Sequence, residues 1–345
     1  MYRAAMNSPL RLRLDGNALV ANWRQLAKRS GTAACGAAVK ADGYGLGAVE
    51  TVRRLANAGC RDFFVATWAE AQALGKLPDA CSLSVLHGLR DEDMALALSG
   101  IARPVLNSGA QVARWKAAGG GICDVMIDTG MNRLGLGRDE LAVLDGLAID
   151  ILMSHLASAD DASAQNEAQR SAFVSLRGTL DAKRMSLANS AGIFLGADFA
   201  FDLTRPGLAL YGGVPVSDAA DSISQVVQPE AQIVQRRRIR AGDKVGYNAT
   251  FTAERSTEIA ILNIGYADGY LRGFSGRGSA GQGQFPVVGR VSMDLIAINV
   301  EKAASLAEGD WVAIDYALPQ ASQQSGLSQY ELLTGLGKRF DRVWH

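Results

Sequence analysis

A (β/α)8 barrel of the TIM type followed by a mainly β C-terminal domain is the fold class this sequence predicts, and three observations predict it. From about residue 35 to about 210, short apolar runs alternate with longer stretches of helical spacing, the rhythm of βα units. The runs number eight, the count that closes a parallel sheet into a barrel filled by its own side chains. After about residue 225 the helical stretches drop out and apolar runs follow one another across polar turns, as in a β domain. The expected boundaries are a barrel over 1–225 and a β-rich domain over 226–345. An open doubly wound sheet is the alternative for the first part.

The elements follow in order. NALVANWRQLAKRSG puts Leu19, Trp23, Leu26 and Ala27 on one helical face and stops at Gly31. The strand runs are GAAVK (36–40), DFFVA (62–66), LSVLH (83–87), ARPVL (102–106), DVMI (124–127), IDILMSH (149–155), RMSLAN (184–189) and FDLTR (201–205). Between them AVETVRRLANAG, AQVARWKAAGG and SAQNEAQRSAFVSLRGTLDAK are helical, several stopped by glycine. In the second domain AQIVQRRRI, TEIAILNIG, QFPVVGRV, DLIAINV and DWVAIDY are the strands, with AGD and EGD as turns. GRGSAGQGQ (276–284) contains G-x-G-x-x-G but opens no helix, so it reads as a mobile loop and not a dinucleotide fingerprint.

Composition narrows the function. With 35 basic and 35 acidic residues the chain has no net field to attract nucleic acid or an anionic membrane. Its dense basic stretch, Arg236-Arg237-Arg238 with Arg240, reads as a solvated strand or an interface. The opening MYRAAMNSPLRLRLDG lacks the apolar core of a leader and no run of about 18 apolar residues follows, so the expected setting is cytoplasmic. Cys35, Cys60, Cys81 and Cys123 are scattered singly beside only 3 histidines, which suggests buried thiols and neither a metal site nor a disulfide framework.

In a barrel, chemistry sits at the C-terminal ends of the strands, where Lys40, His155, Asn189-Ser190 and Arg205 fall. A lysine at an apolar mouth is desolvated, which lowers its pKa and makes the amine a nucleophile toward aldehydes. A salt bridge or a snorkelling ammonium is the ordinary alternative. Gly43, Gly45 and Gly47, which allow close backbone approach, and the Tyr44 hydroxyl favour a ligand. Asn189-Ser190 suits a phosphate cradle or a plain N-cap. Arg205-Pro206-Gly207-Leu208 repeats the pattern on the next unit, and the turns after the seventh and eighth strands are the barrel's usual phosphate position. His155 suits a planar cofactor or a structural role. Arg133, in DTGMNR after the fifth strand, suits a bidentate hold on a carboxylate or a place on the surface. Tyr247, in VGYNATF, is by itself a core or surface aromatic.

Taken together these stretches resemble the alanine racemases, and the resemblance covers nearly the whole chain. AVKADGYGLGA is similar to the family's cofactor segment, which implies that Lys40 forms the internal aldimine with pyridoxal phosphate and that Tyr44 touches the phosphate. By the same resemblance SHLASAD supplies His155 beside the pyridine ring, and NSAG supplies Asn189 and Ser190 to the phosphate. RPGLALYG supplies Arg205 to the ring nitrogen and the N–H groups near Gly207 and Leu208 to the phosphate, and IDTGMNRLG supplies Arg133 to the substrate. VGYNATF makes Tyr247 the second catalytic base, GYADGY carries Tyr266 to the cofactor side, and GRVSMD carries Met293 and Asp294 at the substrate entrance.

The resemblance implies an alanine racemase that interconverts L- and D-alanine by a two-base mechanism, for peptidoglycan supply or alanine catabolism. It also implies a homodimer with composite sites in which Tyr247 acts in trans. Tyrosine is a weak base at its usual pKa of about 10, so this role needs positive charge nearby or a hydrogen bond from His155 or an arginine. The alternatives are a racemase of other specificity such as serine, a decarboxylase of the same layout, whose partner-subunit cysteine motif is not evident, and a non-catalytic cofactor carrier. Two positions depart from the family. Met126 stands where many members carry a carbamylated lysine, so Arg133 is expected to be oriented by a neighbouring side chain such as Asn132 or by a bound anion. Lys338 stands where some members have a phosphate-binding tyrosine.

Overall fold

The computed structural model describes residues 8–345; residues 1–7, the start of the opening stretch read for a leader, lie outside the described residues. The chain divides into two compact units, Leu19–Ser224 and the segment up to Ala18 taken with Gln225–His345.

Each of the eight expected runs of the first unit forms a parallel strand. The first is split into Ala34–Cys35 and Ala37–Ala38, and the others are Asp62–Val65, Ser82–Val85, Arg103–Leu106, Cys123–Met126, Ile149–Met153, Ala182–Ser186 and Leu203–Thr204. The ring closes at the short last strand. Leu203 and Thr204 pair with Ala34 and Cys35 on one side, while on the other Asp202 N–H donates to the Met185 carbonyl and Arg205 N–H to that of Ala188. The expected helices flank the strands. Gly16–Arg29 buries Leu19, Trp23 and Leu26, Ala48–Ala58 ends on Gly59 in the left-handed region, and Gly109–Ala117 and Ala164–Val174 follow.

Alternate residues of a strand share a face, so each inward row reads upward from the N-terminal end. Asp62 precedes Phe64, Arg103 precedes Val105, and Asp124 precedes Met126. Phe64, Val105, Met126, Ile151, Met153 and Leu203 form a dry middle layer. Beneath it is a floor of ion pairs. Arg184 donates to both oxygens of Asp62 at 3.0 and 2.8 Å and to Asp150 at 2.8 Å. Arg103 meets Asp150 at 2.6 Å and Asp124 at 3.5 Å, and Asp124 also accepts from Ser84 Oγ at 2.5 Å and Ile151 N–H at 3.1 Å. Burial pushes the Asp124 carboxyl up to about 6 against the pull of Arg103.

The second unit is built on one long strand, Val227–Ile239, which pairs antiparallel with Thr257–Leu262 and Trp311–Ala313; Thr257–Leu262 continues to Ile296–Asn299 and then Phe285–Val288. The expected boundary needs a correction at its start. Strand Leu10–Leu14, placed by the sequence reading in the 1–225 barrel, pairs with Val227–Ala231 and with Asp341–Trp344. Leu10, Leu12 and Leu14 are fully buried, and alternation alone does not say which sheet buries them. The second unit also has helices, Leu318–Ser325 with Pro at its start and Gln329–Thr334 with a Ser328/Glu331 capping box. The GRGSAGQGQ stretch is a hairpin turn and not the loose loop expected: Ser279–Ala280 pairs with Phe285-Pro286, and Asp315 accepts from Ser279 Oγ, Gln282 N–H and Gly283 N–H. The basic stretch lies on the long strand, where Arg236 and Arg238 pair with Glu258. Among the described residues no helix is long and apolar enough to cross a membrane, and no group of His, Cys, Asp and Glu could hold a metal.

Candidate active site

Two residues beyond members of the dry middle layer, the inward rows turn polar. Met153 is followed by His155, Leu203 by Arg205, Met126 by Asp128 and Val105 by Asn107, and Lys40 stands two residues beyond the buried Ala38. The strand pattern therefore brings chemistry-bearing side chains to one rim.

Lys40 opens a turn of unusual backbone. Ala41, Asp42, Gly43 and Tyr44 all lie in the left-handed region, with φ of 53, 52, 63 and 55°. For an L-residue that conformation costs about 1–2 kcal/mol, so the surroundings must over-determine the turn. Gly43 N–H donates to Val39 O, Gly45 N–H to Ala41 O and Gly47 N–H to Asp42 O, each at 2.8 Å. Asp42 Oδ1 accepts from Ala48 N–H at 2.8 Å, and Glu70 Oε1 accepts from Ala41 N–H at 2.6 Å. The reward is Tyr44, which is buried and stacked on Tyr211 with ring centroids 4.7 Å apart.

Burial pushes the Lys40 amine below the usual lysine range; Arg133 and Arg205 push the same way and Glu70 opposes them. Burial, then Arg205, Arg133 and Lys40, push the His155 imidazole down to about 3, so it is neutral across the physiological range. Arg205 is buried and held by Ser186 Oγ and by the Ser154 carbonyl at 2.6 Å. Even with burial lowering it to about 10, its guanidinium stays a charged donor at neutral pH.

Beside this cluster lies a cradle of donors. Ser190 Oγ accepts from the N–H groups of Gly207 at 2.9 Å and Ala209 at 3.2 Å, with Leu208 between them in the chain. A Cβ on Gly207 would stand 2.1 Å from Tyr44 Oη, so only glycine lets the tyrosine hydroxyl reach this backbone. Asn189, expected beside Ser190, uses Oδ1 to accept from Gly192 N–H at 2.9 Å, so it caps and shapes the turn while Ser190 faces the cradle.

The arginine loop is held by a residue the sequence reading did not assign. Asp128 Oδ1 accepts from Gly130, Met131 and Asn132 N–H at 2.9, 2.9 and 3.1 Å, and Asp128 Oδ2 from Asn132 N–H at 3.0 Å. Asn132 enters this loop through its backbone, at φ 56°, with its N–H given to Asp128. Met126 is not an orienting group at all, being buried in the middle layer. Arg133 is exposed, and its charge reaches Lys40 and His155. Helix Ala164–Val174 ties this loop to the histidine turn. The amide nitrogen of buried Gln169 donates to the His155 carbonyl at 2.9 Å and to Thr129 Oγ1 at 3.3 Å, and its Oε1 accepts from Ala157 N–H at 2.9 Å. The signal for Gln169 was available as a polar residue one helical turn before the buried Phe173.

The other expected residues lie in the second unit. Tyr247 is 67% exposed at the tip of the hairpin that pairs Lys244-Val245 with Phe251-Thr252. It lines a groove of about 720 Å³ together with Arg237, Lys244 and Arg290. Tyr266 sits on a single helical turn, Tyr266–Asp268, beneath Arg272 at 5.2 Å. Tyr266 and Ala267 N–H donate to the Ser292 and Met293 carbonyls at 3.0 Å, and Met293 is 53% exposed. Arg339, also unassigned from sequence, grips buried Asp268 at 2.5 and 2.7 Å and Asp294 at 2.7 Å. Lys338 beside it is exposed.

The donor set of the barrel rim fits a phosphorylated, carbonyl-bearing cofactor with an anionic substrate. A hydroxyl, paired N–H groups and a tyrosine converge on one cradle, and Lys40, Arg133 and Arg205 concentrate positive charge around a neutral imidazole.

Comparison with known proteins agrees. The family profile described as "Alanine racemase, N-terminal domain" matches residues 14–215, and that described as "Alanine racemase, C-terminal domain" matches residues 226–344. An alanine racemase of Acidiphilium cryptum is 43% identical over 356 residues, covering 98% of this chain and 99% of that protein. The crystal structure of alanine racemase from Bartonella henselae with covalently bound pyridoxal phosphate is 36% identical with a TM-score of 0.88, covering 97% of this chain and 99% of that one. The biosynthetic alanine racemase of Pseudomonas aeruginosa is 30% identical with a TM-score of 0.88, covering 99% of this chain and 100% of that one.

Proposed function

The chain belongs to the alanine racemase family and interconverts L- and D-alanine with pyridoxal phosphate, and on that premise we propose that Lys40 and Tyr247 are the two residues that move the α-proton. When bound, the cofactor supplies the electron sink that makes an α-C–H acidic enough for a side chain to ionise. The observation that carries the assignment is the convergence of Lys40, His155 and Arg205, each two residues beyond the barrel interior, on one positively charged rim.

Lys40 tethers the cofactor and takes or returns the proton on one face. An amine whose charged form is disfavoured spends more of its time able to accept a proton at neutral pH. Ser190, Tyr44 and the N–H groups of Gly207 and Leu208 would hold the phosphate, with the Gly207 N–H turning to it from Ser190 Oγ, while Asn189 fixes the turn. His155 would offer the cofactor's ring a neutral imidazole, and Arg205, a permanent donor, would hold the ring nitrogen without giving up its own proton. Arg133 binds the substrate carboxylate, Tyr266 stands on the cofactor side, and Met293 borders the substrate entrance.

Tyr247 takes the proton on the opposite face, and its exposure on a hairpin tip supports a role toward another copy of the chain. In this reading the 226–345 domain of one protomer completes the barrel mouth of its partner in a head-to-tail homodimer. Cys35, Cys60, Cys81 and Cys123 are all free thiols, in keeping with a cytoplasmic setting.

Subunit complementation tests the whole assignment. Lys40→Ala and Tyr247→Phe proteins are each expected to be inactive, and mixing them under subunit exchange should restore racemisation, because one hybrid site then combines an intact Lys40 with an intact Tyr247. Failure of the mixture to regain activity, with hybrid dimers verified by native mass spectrometry, would refute action in trans.

A further inference from the structure

We propose that Glu70 is a positioning residue for Lys40: by accepting from the Ala41 N–H it fixes the left-handed turn that aims the lysine, and it sets a negative charge against the amine. The inference rests on reading Lys40 as the cofactor lysine.

Glu70 is the third residue of helix Trp68–Leu74, whose start is a capping box: Thr67 Oγ1 accepts from Glu70 N–H at 3.3 Å and Glu70 Oε2 accepts from Thr67 N–H at 3.1 Å. That box occupies one carboxylate oxygen, which also accepts from Ala66 N–H at 2.7 Å. The other oxygen leaves the helix and reaches 29 residues back to Ala41 N–H at 2.6 Å. The strands involved are neighbours, since Ala37 and Ala38 pair with Phe63 and Phe64, and Val39 N–H donates to Phe64 O at 2.8 Å. One carboxylate thus bolts the end of the second strand to the end of the first.

The turn it holds is where such a bolt matters. Ala41, Asp42 and Tyr44 have no glycine's freedom, yet each lies at φ between 52 and 55°. Within the segment, Gly43 N–H to Val39 O, Gly45 N–H to Ala41 O and Ala48 N–H to Asp42 Oδ1 brace the turn. Glu70 ties it to a different element, at the residue directly after the lysine. The charged groups facing Lys40 are Arg133 and Arg205 on other strand ends and Glu70 on this helix, with neutral His155 beside them. Without Glu70 the amine would face cations alone.

One readout uses the cofactor-free chain and does not depend on turnover. Lys40 acylation by an amine-reactive reagent is followed across pH by peptide mass spectrometry in wild type, Glu70→Gln and Glu70→Asp, alongside kcat/KM of the reconstituted enzymes and thermal unfolding. Glu70→Gln removes the charge at constant size; the pH of half-labelling should fall by about one unit and kcat/KM by about tenfold. Glu70→Asp keeps the charge and a helix cap but not the reach to Ala41; labelling should stay near wild type while kcat/KM again falls about tenfold. Wild-type labelling and wild-type kcat/KM in both variants, with only the melting temperature moved, would reduce Glu70 to a helix cap and overturn the proposal. A Lys40→Ala protein that still develops the bound cofactor's visible absorption would instead overturn the premise about Lys40, a separate and distinguishable result.

Discussion

The floor and the rim of the barrel both gather charge, but they balance it differently. At the floor Arg103 and Arg184 are answered by Asp62, Asp124 and Asp150, every contact being internal to the unit. At the rim Lys40, Arg133 and Arg205 surround a neutral His155, with Glu70 as the carboxylate facing the lysine. Concentrated like charge is costly, most of all at the buried Arg205, and it persists where a ligand brings the missing anion. A phosphate and a substrate carboxylate are the anions this rim lacks. The contrast separates two kinds of clustered charge: the floor's serves the fold, and the rim's serves the ligand.

The contrast is sharpest if one cation is removed from each end. Lys40→Ala should abolish the bound cofactor's visible absorption and lower racemisation by about 10⁴-fold, while the cofactor-free protein melts no lower than wild type, because the lost ammonium was disfavoured where it stood. Absorbance titration, a chiral product assay and calorimetry check these together. Arg184→Leu should do the reverse. It strands Asp62, whose side chain is only 8% exposed, and should cost roughly 3 kcal/mol in urea denaturation, with KM for alanine and cofactor affinity unchanged. A floor variant that lost cofactor at constant stability would break the comparison.

The smallest expected effect is in the pH dependence of the floor. Asp124 is held above the ordinary carboxyl range, at about 6, chiefly by burial, so the folded state binds its proton more tightly than the unfolded state does. Its contribution to stability is fully present below the unfolded pKa of about 4 and is lost as pH rises through about 6. Relative to Asp124→Asn, the wild type should therefore lose stability between pH 4 and pH 7, by less than about 3 kcal/mol, in paired urea titrations. A difference that is flat with pH would show that Arg103 keeps Asp124 ionised throughout.

Much of this molecule is written locally. Apolar runs and glycine stops located all eight strands because each run is buried wherever it lies in the ring, and the residue two places past a buried one faces the same interior. Lys40, His155, Asn189-Ser190 and Arg205 stand out from sequence alone as strand-end residues, and resemblance adds the role proposed for Tyr247. Glu70 carries a legible capping box, but its second oxygen does not, since nothing in Thr67-Trp68-Ala69-Glu70 points to Ala41. Gln169 was a polar residue on an apolar helical face until the His155 and Thr129 turns met it.

What the sequence by itself determined was therefore periodicity: which segments are strands, which helices, and which reactive residues stand at strand ends. What only the tertiary structure decided was partnership. Arg184 meets Asp62 across 122 residues, Ser84 meets Asp124 across 40, and Leu10–Leu14 joins a strand that begins at Val227. A side chain's period is fixed by its neighbours in the chain, but its partner is chosen by which strand ends the closing of a sheet brings together, and that closure is a property of all the strands at once.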